Sequence, residues 1–279
     1  MTDAAVPVHS AKVTAQGITA YARTIPAEVP VAFVYDGTTH AVMMASPTDL
    51  EDFAVGFSLA EGIIGAPEDI QSLDIVEHDK GIELRAWLVP DRGRKLAQRR
   101  RNLASPTGCG LCGVESLEAA VPSCPQVAAE ATVTAADVAV AQAALERAQV
   151  LNRHTRAVHG AGFWTKAKGL VAIAEDVGRH NALDKLLGRL RRNRVPASNG
   201  VVLLTSRVSV EMVQKAAVAG APIIVAMSAP TALALQTANG AGITLVAVAR
   251  ADGFEVFTHP HRIADVSVAK RKDTVEDAA

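Results

Sequence analysis

With 279 residues, 49% of them hydrophobic, and a formal charge of −1, the chain is long enough to bury one large core or two smaller ones and offers no global field for nucleic acid. Residues 1–20 contain no positive stretch leading into an apolar core, which speaks against a secretory signal. The most apolar region, residues 201–250, is cut by Arg207, Glu211, Lys215, Pro222 and Pro230 before it reaches the ~18 residues of a membrane span, so a cytoplasmic protein without a membrane partner is expected.

Residues 29–35 and 38–44 are β-rich segments joined by Asp36-Gly37, the pattern of a hairpin. The stretch 46–62 reads as a helix. Ser46-Pro47-Thr48 opens it, Glu51 and Asp52 fill its first turn, Leu50, Phe53, Phe57 and Ala60 fall at helical spacing, and Gly62 follows. Strands are expected at 70–76 and 82–89. Residues 91–125 read as a connector punctuated by glycine and proline. Its six Lys/Arg between 92 and 101, like the four Arg between 189 and 194, are either a solvated face or an attraction for a polyanion.

Within that connector lies Thr107-Gly108-Cys109-Gly110-Leu111-Cys112-Gly113. Glycines around the two cysteines leave the sulfurs open to a close-approaching molecule, and a helix start at 114–120 would favour the thiolate. A structural zinc site lacks ligands, since only Cys124 follows, between Pro122 and Pro125. A thioredoxin-like motif would follow a strand rather than a basic run, and an odd number of cysteines argues against a structural disulfide. No permanently bound metal is expected.

The second block opens with a helix over 134–152, where Thr134 and Asp137 resemble a capping box. A hairpin at 162–166 and 169–174 follows. Helices at 181–192, 209–219 and 229–239 then alternate with strands at 201–205, 222–227 and 243–249, which implies a mostly parallel sheet with helices on its faces. Ligands of such sheets sit at the carboxyl ends of the strands. There, Thr205-Ser206-Arg207-Val208-Ser209 and Ser228-Ala229-Pro230-Thr231 place hydroxyls at helix starts. Ser209 and Ser228 either cap those helices or hold an anion there with Arg207 as a clamp. Neither strand is followed by a dinucleotide or P-loop glycine signature. A third polar cluster, with Glu175, Asp176, Arg179, His180, Asn181 and Asp184, occupies a strand-to-helix turn.

These blocks resemble the FdhD family of formate dehydrogenase accessory sulfurtransferases. The resemblance is carried by residues 28–32, 52–57 and 60–64, Cys109-Gly110-Leu111-Cys112-Gly113, 175–185, 206–215 and 228–231, in the family's order over about 200 residues. It implies an α/β fold, with a cytidine deaminase-like three-layer α/β/α main domain over 131–279. A smaller N-terminal β-rich α+β subdomain would span 1–105, with the cysteine connector over 106–130.

In function, the resemblance implies a sulfur carrier with Cys109 and Cys112 as catalytic residues. Sulfur from a cysteine desulfurase would be held as a persulfide and passed to the molybdenum or tungsten bis-guanine-dinucleotide cofactor before insertion into formate dehydrogenase. Cofactor contacts are then expected from Arg207, Ser209, Ser228, Asp176, Arg179 and His180, and from Phe257, Thr258, His259, Pro260, His261 and Arg262 near the C-terminus. A homodimer is expected. The family's Thr-Gly-Gly element is replaced here by Thr155-Arg156-Ala157 before His159. Two other functions compare with this one. A non-catalytic cofactor chaperone would use the cysteines only as a redox latch, and a deaminase would need an H-x-E element that the sequence lacks.

Overall fold

The computed structural model describes residues 3–103, 124–129, 131–250 and 252–265. The cysteine motif, and most of the connector expected over 106–130, therefore lie outside the described residues.

Two strands with no counterpart among the expected elements come first, β1 (Ala5–Thr14) and β2 (Gly17–Pro26), and among the described residues they pair only with each other. The expected hairpin follows as β3 (Val29–Tyr35) and β4 (Thr38–Ala45). Asp36 (φ 50°) and Gly37 (φ 76°) both take the left-handed conformation that a two-residue hairpin turn requires. Helix α1 (Leu50–Ala60) starts four residues later than expected, because Asp49 at φ 53° is still in the entry turn. Strands β5 (Ile70–His78) and β6 (Gly81–Leu88) complete a four-stranded sheet of order β4-β3-β6-β5, in which β3 and β6 run parallel. α1 packs on it through Phe53 and Phe57, which meet Phe33 edge-on at 4.9 Å and stacked at 4.0 Å.

Residues 90–103 correct the reading of a connector from Asp91 onward: they form α2 (Pro90–Leu103). Pro90 suits a first helical turn, and Arg, Lys, Leu, Ala and Gln are good helix formers, so Gly93 is tolerated. The capping box of α3 (Ala135–Ala148) is present. Thr134 Oγ1 accepts from the Asp137 N–H at 3.1 Å, and Asp137 Oδ2 accepts from the Thr134 N–H at 2.9 Å. The helix expected to reach 152 breaks at Gln149 (ψ 85°) into a short α4 (Val150–Thr155), whose first amides donate to Glu175.

The second sheet has six strands: β7 (His159–Thr165), β8 (Gly169–Asp176), β9 (Val201–Leu204), β10 (Ile223–Ala226), β11 (Thr244–Arg250) and β12 (Gly253–Val256). Their order is β12-β11-β10-β9-β7-β8. Only β9, β10 and β11 are mutually parallel; β7 runs antiparallel to β9 and to β8, and β12 antiparallel to β11. The mostly parallel sheet is thus corrected to a mixed one, because two hairpins flank a parallel centre. Helices α5 (Arg179–Arg192), α6 (Val210–Ala219) and α7 (Ala232–Gly240) connect it.

Alternation along the strands explains the layers. Val202, Leu204, Ile224 and Leu245 pack with α5, α6 and α7, whereas Val201, Leu203, Ile223 and Val225 pack with Val138, Ala141 and Leu145 of α3. Helices therefore cover both faces. The two sheets are coupled where α1 lies against α5. No helix among the described residues is long and apolar enough to cross a membrane.

Candidate functional site

The parallel strands β9 and β10 end level with each other, Leu204 opposite Ala226, and their following loops are joined. The Thr231 N–H donates to the Val208 carbonyl at 3.0 Å, and the Met227 N–H to the Leu204 carbonyl at 2.9 Å. Ser209 occupies the cap position of α6 but makes no capping bond; its Oγ lies 3.4 Å from His180 Nε2. The cap of α7 is Thr231, which accepts from the Ala234 N–H at 3.2 Å, so Ser228 is not the cap either. Capping alone therefore does not account for these two serines. Arg207 projects as an exposed residue between them.

Antiparallel pairing brings more groups to the same end. The Thr205 N–H donates to the Gly160 carbonyl, which places His159 just beyond the end of β9, and His159 pairs across with Asp176 at the end of β8. Asp176 is fully buried. Its Oδ2 accepts from Lys185 Nζ at 2.6 Å and from the Ser46 N–H at 3.0 Å, while its Oδ1 accepts from the Gly178 N–H at 2.7 Å and Asn181 Nδ2 at 3.0 Å. Lys185 also donates to the Ser46 carbonyl at 2.8 Å. With both oxygens doubly engaged, Asp176 does not line a cavity with His180 as expected. It clamps the turn to the end of β4.

His180 opens onto a groove of about 300 Å³ lined also by Asp184, Glu211, Lys215 and Phe57. Glu211 Oε2 lies 3.8 Å from the same Nε2 that faces Ser209. Because serine and carboxylate approach one nitrogen, no Ser-His-acid relay exists here. Burial, with Arg179 and Lys215 adding to it against Glu211, pushes His180 below the ordinary histidine range. Burial and Arg179 do the same to His159, against Asp176. Both imidazoles are thereby held neutral near pH 7, which suits hydrogen bonding and proton acceptance. Buried Asp184 is pushed up to about 6 despite a Lys215 partner at 2.7 Å. The Arg179 Nε is buried with no hydrogen-bond partner among the described residues.

Phe257 to Arg262 is placed elsewhere. β12 turns back along β11, so the Phe257 N–H donates to the Leu245 carbonyl and Thr258 Oγ1 to the Ile243 carbonyl, at the amino end of the parallel strands. Three residues of strand, about 10 Å, separate that level from the Arg207 end. The reversal of direction thus puts this segment, from which cofactor contacts were expected as they were from Arg207, Ser209 and Ser228, at the opposite end of the parallel strands. Thr258 and Arg262 are buried and bonded to backbone carbonyls, whereas Phe257 and His261 are exposed. His259 and His261 meet edge-on at 5.9 Å. Cys109 and Cys112 lie outside the described residues. Cys124 is half-buried, and burial pushes its thiol up, away from the thiolate.

A family model described as the FdhD/NarQ family matches residues 26–264. The chain belongs to that family. It is 54% identical over 242 residues to "Sulfur carrier protein FdhD" of Agrobacterium fabrum, covering 86% of this chain and 89% of that one. It is 49% identical over 259 residues to the protein of the same name from Brucella abortus, covering 92% and 96%. A solved structure from Desulfotalea psychrophila, provisionally named a formate dehydrogenase accessory protein, superposes with a TM-score of 0.74 at 27% identity, covering 94% of this chain and all of that one.

Sequence reasoning did not single out His159, Glu211 and Lys215 as site residues. Glu211 and Lys215 are one helical turn apart on α6, a spacing visible in the sequence once α6 is placed. His159 depends on an antiparallel register that no local pattern encodes.

Proposed function

We propose that the chain is a cytoplasmic sulfurtransferase and sulfur carrier for formate dehydrogenase. The observation that carries this reading is its 54% identity, over 86% of its length, to a sulfur carrier protein. The Cys109 thiolate attacks the outer sulfur of a cysteine desulfurase persulfide. One S–S bond forms as another breaks, the desulfurase thiolate leaves, and no net oxidation occurs. Cys109, between two glycines, carries the sulfur and Cys112 assists. The sulfur then passes to the molybdenum or tungsten bis-guanine-dinucleotide cofactor, which is a substrate here.

That cofactor has two guanine-nucleotide arms, and the chain offers two surfaces of suitable chemistry. Arg207, Ser209, Ser228, Arg179 and the neutral His180 sit at strand ends and helix starts, where phosphate is favoured. Phe257, His259 and His261 offer flat rings to a purine at the other end of the strands. Helices on both faces of the mixed sheet support the cytidine deaminase-like reading of the 131–279 domain, and self-pairing into a homodimer belongs to the same reading. The test is intact mass after incubation with a desulfurase and cysteine, followed by peptide mapping. A thiol-labile sulfur on Cys109 is expected; a chain that binds guanine nucleotide yet never gains sulfur is a chaperone instead.

A further inference from the structure

β1 and β2 form a ribbon of ten consecutive cross-strand pairs, from Ala5 opposite Pro26 to Thr14 opposite Gly17. It is about 33 Å long at the rise of a strand. No third strand among the described residues joins it. Val13 and Ile18, facing each other near the tip, are 71% and 72% exposed, and Val6, Tyr21 and Ile25 are exposed as well. The Val13/Ile18 pair and the Val6/Ile25 pair fall on opposite faces, since seven residues separate Val6 from Val13 and strand side chains alternate. Both faces thus present apolar groups to solvent. β2 touches α4 of its own chain, but the exposed apolar groups and the open edges are left uncovered, and a two-stranded ribbon is marginal in water, so they call for a further cover.

The cover is chosen by charge and position. Between Ala5 and Pro26 the ribbon carries Lys12 and Arg23 and no acid. Strand β5, at the edge of the four-stranded sheet, carries Asp74 and Glu77 around an exposed Ile75. Beside it lies a groove of about 850 Å³ bounded by Ile75, Glu77 and Ile82, and by Asp3 and Ala4 at the root of the ribbon. The basic arm leaves the body next to an acidic edge that it does not itself cover.

We propose that the β1–β2 ribbon is an exchange arm: in a dimer of this chain, each ribbon lies along the β5 edge and groove of its partner. Because arm and acceptor start at the same place, one two-fold operation covers both arms and both edges. The basic ribbon then runs along a strand that carries Asp74 on one face and Glu77 on the other, and strand addition satisfies the β5 edge and one edge of the ribbon. This rests on the self-pairing proposed above and goes further by naming the surfaces that make it.

Sedimentation of the full chain tests it, with Val13→Asp/Ile18→Asp, Lys12→Glu/Arg23→Glu, and the latter combined with Asp74→Lys/Glu77→Lys. The wild type is expected to be a dimer, and the tip variant a folded monomer by circular dichroism. The charge reversal should weaken pairing roughly tenfold at low salt, and the compensating reversal should restore it. A photo-cross-linking residue at Tyr21, in mixed isotope-light and isotope-heavy subunits, should give light–heavy cross-links to residues 70–83. A monomeric wild type would overturn both the arm and the self-pairing. A dimer that persists in the tip variant, a charge swap without rescue, or cross-links confined to one subunit or to other surfaces would overturn the arm alone.

Discussion

Gly56 of α1 and Gly188 of α5 bring two helix backbones into direct contact. A Cβ built on Gly56 would lie 1.8 Å from the Asp184 carbonyl oxygen, and one on Gly188 would lie 1.9 Å from that of Asp52. No side chain separates the two halves of the molecule at this point. Gly188→Ala should therefore destabilise by about 2 kcal/mol or more, even though alanine is the better helix former by ~1 kcal/mol. An unchanged urea midpoint would show that the helices can part at no cost.

Lys185 and Asp176 are both fully buried and paired at 2.6 Å. Lys185→Met should cost on the order of 3–5 kcal/mol, because it leaves a carboxylate buried without its cation. Adding Asp176→Asn should return part of that loss. If the double variant is no more stable than the single one, the pair is not what the charge is there for.

Asp184, raised from 3.8 to about 6 by burial, contributes a definite pH dependence. In the window between those values the folded state binds the extra proton, so this group's contribution to stability falls as pH rises from about 4 to 6, by up to about 3 kcal/mol. Denaturation across that window should show a smaller gain with pH than in Asp184→Asn. Identical slopes would place the carboxyl in the ordinary range.

His180 and His159 are depressed by burial and by Arg179. The unfolded chain takes up protons first as pH falls below about 6.5, so both residues should reduce stability on acidification. Proton NMR of the imidazole C–H signals should give midpoints below 6.5. Arg179→Ala should move both upward, and midpoints that stay put would remove Arg179 as their common neighbour.

Arg207 is the exposed cation between the two strand-end loops. If it makes a charge-assisted hydrogen bond to guanine nucleotide, Arg207→Ala should weaken calorimetric binding of GDP by about 1.5–3 kcal/mol, while thermal stability is unchanged. Equal affinity in the two proteins would place the nucleotide elsewhere, with the Phe257 to His261 surface as the next position to substitute.

Much of the core was legible because period and punctuation agreed. Asp36-Gly37, the phenylalanines of α1, the Thr134 capping box and the β9–β11 alternation each carry a local signal. What escaped was non-local. The β1–β2 ribbon has little buried face to leave a pattern, and α2 was hidden by its own charge. The direction of β12 separates Phe257 from Arg207, although both lie in polar turns of similar appearance. Asp176 read as a site residue because a buried clamp and a binding group use the same side chains. Only its four hydrogen bonds tell them apart.

The clamp at Ser46 bears on how the molecule could be taken apart. Its N–H is held by Asp176 and its carbonyl by Lys185, while its Oγ accepts from the Val177 N–H at 3.2 Å. Together with the glycine contact, this fastens the two halves through residues that lie outside the peptide chain between 103 and 124. A protein severed in that stretch should reassemble from its two fragments as a split protein does. The cysteine-bearing segment could then be lengthened, transplanted or replaced while the body that presents it stays whole.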